Sequence, residues 1–225
     1  KTAKKGATSL DKMQQSARNL GLALSAAFAV KGIQTAADKF TNLNNQVALV
    51  TGRTKKLNET FAELQRLSIS TRGSIAGITE LYSRLGRSTK DLAPSNRELL
   101  KATEAIQKAI VISGASAASS EAAIVQLGQG LAAGALRGQE LNSVMEQTPR
   151  VAAAIATELG VGVGGLRQMA EQGKITSEVV ISAFTNQAKA INSEFADMDA
   201  TVGQGFAAVA TNAKLVTREF LAGAG

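Results

Sequence analysis

The side chains available for chemistry in this chain are carboxylates, hydroxyls, amides, lysines and arginines, because its 225 residues include no histidine and no cysteine. Those two absences remove the commonest general base near neutral pH, the thiolate nucleophile and the commonest zinc ligands. Ser/His/Asp and Cys/His catalysis are therefore excluded, and no disulfide framework can form. Paired carboxylates or a Ser/Lys couple could still move protons, but no stretch gathers such residues. Gly162-Val163-Gly164-Gly165 has the glycine content of a phosphate-cradling loop, yet no strand precedes it and no Gly-Lys-Ser/Thr completes it. The expectation is a protein that is not an enzyme, with no catalytic residues, no metal site, no cofactor and no small-molecule substrate.

Binding chemistry is the next candidate. The formal net charge is +7, which ordinary solvated helix faces account for most simply. Lys1, Lys4 and Lys5 form one basic cluster, and Arg53, Lys55 and Lys56 form another. Neither has interleaved aromatics on which single-stranded bases could stack. Ala156, Gly160, Leu166 and Met169 have the spacing of a helix-turn-helix, which makes a duplex-binding protein one alternative. Its second helix would offer base edges only Arg167 and Gln168, so two packed helices joined by a glycine turn is the simpler reading. A secreted or membrane-active helical effector is the other alternative. Its best support, the apolar run at residues 20–30, covers about half of the ~20 residues a spanning helix needs, and Lys31 stops it. Residues 122–136 are uncharged, but Gln126, Gln129 and three glycines dilute them. No secretory signal is evident.

The elements that would position these side chains are helical. Aromatic residues are 4% of the chain and Trp is absent, while small and straight-chain helix formers dominate. Ser9 can cap a first helix bearing Leu10, Met13, Ala17, Leu20 and Leu24. Its continuation places Ile33, Ala37, Phe40, Leu43, Val47 and Val50 on one face and closes at Thr51-Gly52. Leu57, Phe61, Leu64 and Leu67 form the stripe of the next helix, read as core rather than as a ligand box. Ser74 opens a helix with Ile75, Ile78, Tyr82 and Leu85 inward. Ser95 and Glu98 form a capping box before Leu99, Ala102, Ile106 and Ile110. An Ala-rich helix from about Ala118 carries Ile124, Leu127 and Leu131. Beyond it, Gly138 and Pro149 bracket a short helix with Leu141, Val144 and Met145, and Glu140, Glu146 and Arg150 are expected outward. Residues 151–159 form the next helix, closed by Gly160. A short helix at residues 166–171 is closed by Gly173. Thr176 caps a longer one with Val179, Val180, Ala183 and Phe184, and a last helix runs from about Ala200 to Leu221. The fold class expected is all-α, with multiple short to medium helices in a segmented or compact domain and no sheet.

A continuous helix of this length would be about 340 Å long at ~1.5 Å per residue. Breaks near residues 52, 73, 94, 114, 138, 149, 160 and 173 argue against a single rod. The organisation expected is an amino-terminal amphipathic helical segment at residues 1–52, a helical core region at 53–195, and a carboxy-terminal helix at 196–225. With Lys1 in place of Met and a Gly-Ala-Gly end, the chain reads as an excerpt of something longer.

The most specific stretch is residues 136–150, Leu-Arg-Gly-Gln-Glu-Leu-Asn-Ser-Val-Met-Glu-Gln-Thr-Pro-Arg. It closely resembles a signature of phage tail tape measure proteins in their amino-terminal region. The likeness continues upstream through residues 99–105 and 111–117. Downstream it takes in residues 166–170, Gly173-Lys174-Ile175-Thr176 and Phe195-Ala196-Asp197-Met198, with weaker similarity at Ala37-Asp38 and Val50-Thr51-Gly52. The family pattern carries Ser or Thr where Gly162 stands and an acidic residue where Gly165 stands, so the following short helix is left without a good cap. What the resemblance implies is a structural protein packed in the lumen of a growing tail tube, which sets tail length, assists assembly and leaves when DNA is ejected. Several copies, a trimer favoured, would run together. The tube protein, tail tip or baseplate proteins and assembly chaperones are the implied partners, with indirect contact to DNA during ejection. The implied locations are the virion tail lumen, the host cytoplasm during assembly and the host envelope during ejection. The residues taken as family motif and partner contact are Arg137, Gly138, Glu140, Leu141, Asn142, Glu146, Pro149 and Arg150.

Overall fold

Short polar residues cap four of the described helices. In the computed structural model, which describes Thr35 and residues 38–199, the side chains of Ser74, Ser95, Ser116 and Thr176 each accept a backbone N–H from the first turn that follows. At Ser95 the box is complete. Its hydroxyl and its backbone N–H both donate to Glu98 Oε2, at 2.7 and 2.8 Å, and hold that carboxyl below the usual carboxylate range.

The chain divides into two units, Lys1–Asn42 and Leu43–Gly225. In the first, Thr35 and residues 38–42 are helical. The second begins with helical residues 43–51 (α1). It continues with α2 (Lys55–Ser70), α3 (Ile75–Ser88), α4 (Asn96–Ile112), α5 (Ala117–Ala132), α6 (Gly138–Gln147), α7 (Pro149–Glu158), α8 (Leu166–Glu171), α9 (Ser177–Asn186) and α10 (Ala188–Ala196). Short 3-10 turns stand at Lys90–Leu92 and Val163–Gly165. The described residues are thus all-helical, without a strand, as the composition and periodicity require. The helices expected at residues 10–30 and 200–221 lie outside the described residues.

The core forms around α4. Ala102, Ala105, Ile106, Ala109 and Ile110 are all buried to 2% exposure or less, and the alanines among them let α2, α3, α7, α9 and α10 all approach one helix. Burial of each large aliphatic side chain here contributes about 1.5–3 kcal/mol. A second layer is α5, packed on α3 and α6. Gly128 of α5 permits this packing, because a Cβ there would collide with Arg84 Cδ at 1.9 Å. Arg84 therefore lays its stem across α5 while its guanidinium pairs with Glu80 at 2.6 Å.

The inward faces expected for α3, α4 and α5 are those observed. Other side chains depart from expectation. Leu67 is only half-buried and Ser68 takes the fully buried place, because Leu57, Phe61, Leu64 and Ser68 are the true 3.6-residue stripe of α2. Met145 and Val179 are likewise half-buried. The helix capped by Thr176 contains Val179, Val180, Ala183 and Phe184, as expected. It stops at Asn186, where Gln187 leaves helical geometry and its Nε2 donates to the Ala154 carbonyl at 2.6 Å, before α10 begins.

Candidate interaction site around residues 136–150

Residues 136–150 begin just after α5. Leu136 is fully buried and donates its backbone N–H to the Ile175 carbonyl at 2.9 Å, beside an antiparallel bridge between Ala135 and Thr176. Gly138 then turns the chain into α6 at φ +37°, where a Cβ would be strained. Leu141 and Val144 are each 1% exposed and hold α6 to its neighbours. Thr148 makes the corner itself. Its hydroxyl donates to the Val144 carbonyl at 2.8 Å, and its own carbonyl accepts the amides of Val151 and Ala152. Pro149 occupies the first position of α7, where its missing N–H costs nothing.

Three of the motif side chains reach other elements. Arg137 is exposed and lies over Gly173, where a Cβ would come within 2.6 Å of its Nη2. Asn142 Oδ1 accepts from Arg167 Nε at 3.2 Å, joining α6 to α8. Arg150 does most. Its backbone N–H donates to Ser113 Oγ at 3.1 Å, and its guanidinium grips Glu194 of α10 through Nε–Oε2 at 2.6 Å and Nη2–Oε1 at 2.9 Å. The hydrogen bonds and charge of Arg150 hold the Glu194 carboxyl below the usual carboxylate range. The outward placement expected for Arg150 is therefore corrected, since its side chain is 17% exposed and is drawn inward by a bidentate acid. Glu146 is exposed and Glu140 half-buried, which leaves Glu146 as the motif's acidic group facing solvent.

Sequence reasoning missed the residues on the far side of these contacts. Glu194 carries no local signal, because its partner is 44 positions away. Glu158 accepts from Ser182 and from Asn186 Nδ2, tying α7 to α9. Two cations approach the Phe195 ring, with Arg72 Cζ 4.7 Å and Lys108 Nζ 5.5 Å from its centroid. Arg72 also donates through Nη2 to the Met198 carbonyl at 2.7 Å.

This arrangement can orient helices and present surface. The described residues place no group of three or more acidic side chains to hold a metal ion, and no described helix is long and apolar enough to cross a membrane. The helix-turn-helix reading finds little support, since α8 has six residues and its Arg167 is engaged with Asn142. A recognition helix needs several side chains along the major groove. A comparison with curated proteins and with solved structures finds no match. The family model described as tape measure protein matches residues 31–221, which spans the whole described body and the motif within it. The chain belongs to the tape measure protein family.

Proposed function

We propose that this chain is a structural segment of a tail tape measure protein that packs within the tail tube, takes part in setting tail length, and assists assembly and DNA ejection. The observation that carries this reading is the family match over residues 31–221, together with an all-helical body in which Leu141, Asn142, Val144 and Arg150 of the motif make contacts between helices. The longest described helix is α4, with 17 residues, or about 25 Å at ~1.5 Å per residue. Such a folded body suits a node that organises neighbours better than the ruler itself. In this reading residues 53–195 supply the core scaffold, and residues 1–52 and 196–225 flank it. Partners follow from the same role: further copies of the chain, three favoured, the tube protein, tail tip or baseplate proteins and assembly chaperones, with DNA met only during ejection. The site of action is the tail lumen, reached from the host cytoplasm during assembly, with passage to the host envelope at ejection.

Quantitative mass spectrometry of purified tails before and after triggered ejection tests the proposal. Peptides from this chain should be present in stoichiometric amount in intact tails and depleted after ejection. Their absence from intact tails, or full retention after ejection, would overturn it.

A further inference from the structure

Helix α2 ends on an arginine where four other helices of the body end on glycine. The N–H of Gly73 donates to the Ser68 carbonyl at 3.0 Å and the N–H of Arg72 to the Ile69 carbonyl at 3.3 Å, the pairing that closes a helix through one left-handed residue. That residue is Arg72, at φ +57°. The same place after α4, α5, α7 and α8 is held by Gly114, Gly134, Gly160 and Gly173, with φ between +65° and +95°. A side chain is strained in that conformation and glycine is not. An arginine there points to a use for its guanidinium.

The guanidinium reaches the end of α10. Nη2 donates to the Met198 carbonyl at 2.7 Å, two residues beyond the helix, and Cζ lies 4.7 Å from the Phe195 ring centroid. A cation at the carboxyl end of a helix also meets the favourable pole of its dipole. Two further arms hold the same helix. Lys108 Nζ of α4 donates to Asn192 Oδ1 at 2.7 Å, and Arg150 of α7 pairs with Glu194 at 2.6 Å. Apolar burial adds less, because α10 buries only Ile191 and Phe195 while α4 buries nine side chains. Arg72 Nη1 is buried without a hydrogen-bond partner among the described residues, and an unpaired buried donor offsets part of what the other contacts supply. Polar arms from three elements thus hold α10 over a thin apolar footing, as suits an element that opens ahead of the core.

We infer that α10 is a strap that lifts as a unit while the core around α4 stays folded, and that Arg72 is the positioning residue that locks its carboxyl end. Neither statement rests on the tail role. The left-handed backbone at Arg72 belongs to the turn between α2 and α3 whether the strap is docked or lifted. Its strain therefore cancels from the opening, and only the guanidinium contacts count there.

Native-state hydrogen exchange of the full chain, read peptide by peptide, tests both parts. In the wild-type protein the amides of α10 should exchange at least about tenfold faster than those of α4, through a local opening. Arg72→Gly keeps the left-handed turn and removes the guanidinium. In that variant α10 should exchange about tenfold faster again, while α4 keeps its wild-type rate or slows. Equal exchange of α10 and α4 in the wild-type protein would overturn the strap. Unchanged α10 exchange in Arg72→Gly would overturn the lock. So would acceleration of α4 in step with α10, which would make Arg72 a general support of the core.

Discussion

Arg150 and Glu194 form a two-point guanidinium–carboxylate contact that fixes the first turn of α7 to α10, with N–O distances of 2.6 and 2.9 Å. Because α10 buries only Ile191 and Phe195, this contact and the approach of Arg72 and Lys108 to the Phe195 ring are central to its docking. Glu194 is 42% exposed, so solvent screening limits the value of the pair. Arg150→Ala should cost about 1 kcal/mol globally, while hydrogen exchange in α10 rises more than in α4. Equal acceleration in both helices would show that Arg150 does not act through α10.

The same carboxyl sets a direction for pH. The folded-state values of Glu194 and Glu98 are depressed, so their contribution is complete above the ordinary carboxylate range and is lost as pH falls through the lowered values. Thermal stability should therefore decline on acidification, and Glu194→Gln should flatten part of that decline. An unchanged acid profile in Glu194→Gln would remove this carboxyl from the account.

Tyr82 is the only tyrosine in the chain. Fully buried, it donates to Asn96 Oδ1 at 2.6 Å, and Asn96 Nδ2 donates in turn to Thr60 Oγ1 at 2.9 Å. Burial pushes its phenol up to about 12, against a smaller lowering by Thr60. The neutral form is favoured on folding, so this contribution is complete below the ordinary value near ~10 and is lost as pH rises toward the folded value. Ultraviolet titration should show no phenolate in the native protein until about 12. Tyr82→Phe should cost about 1–3 kcal/mol by leaving the Asn96 carbonyl oxygen without its donor. Titration of the native protein at the ordinary tyrosine value would contradict the buried triad.

At residues 136–150, Leu141→Ala should cost about 2–5 kcal/mol in urea unfolding, since Leu141 is 1% exposed between helices. Glu146→Ala should change stability by under about 0.5 kcal/mol, because that side chain faces solvent. If Glu146 meets a tail partner, phage carrying Glu146→Ala should fold the protein normally yet assemble fewer tails. Normal assembly in that phage would confine the motif to an internal role.

Much of this architecture was legible in the sequence because the signals are local. Ser95 and Glu98 are three residues apart, and Gly138 and Pro149 announce a helix start by backbone chemistry alone. What stayed hidden depends on distant partners. Nothing near Arg150 indicates that Glu194 will turn it inward, and nothing in the Leu57 stripe shows that Ser68 takes the fully buried place and leaves Leu67 half-buried. The end of α9 has no local signal at Gln187, because its amide finds the Ala154 carbonyl only in the folded body. The outer face of the motif was the least legible part, since an exposed Glu146 looks the same whether it meets water or a partner.

If this helical body is a working part of a tail, breaking its core must damage tails, and negative-stain electron microscopy of mutant phage can show whether it does. Ile106 is fully buried on α4, the helix on which five others converge. Ile106→Asp buries an unpaired charge and should unfold the body. The expected result is heads without tails, or tails of irregular length, in that phage. Tails of wild-type number and wild-type length from the Ile106→Asp phage, with the variant body shown to be unfolded, would contradict it.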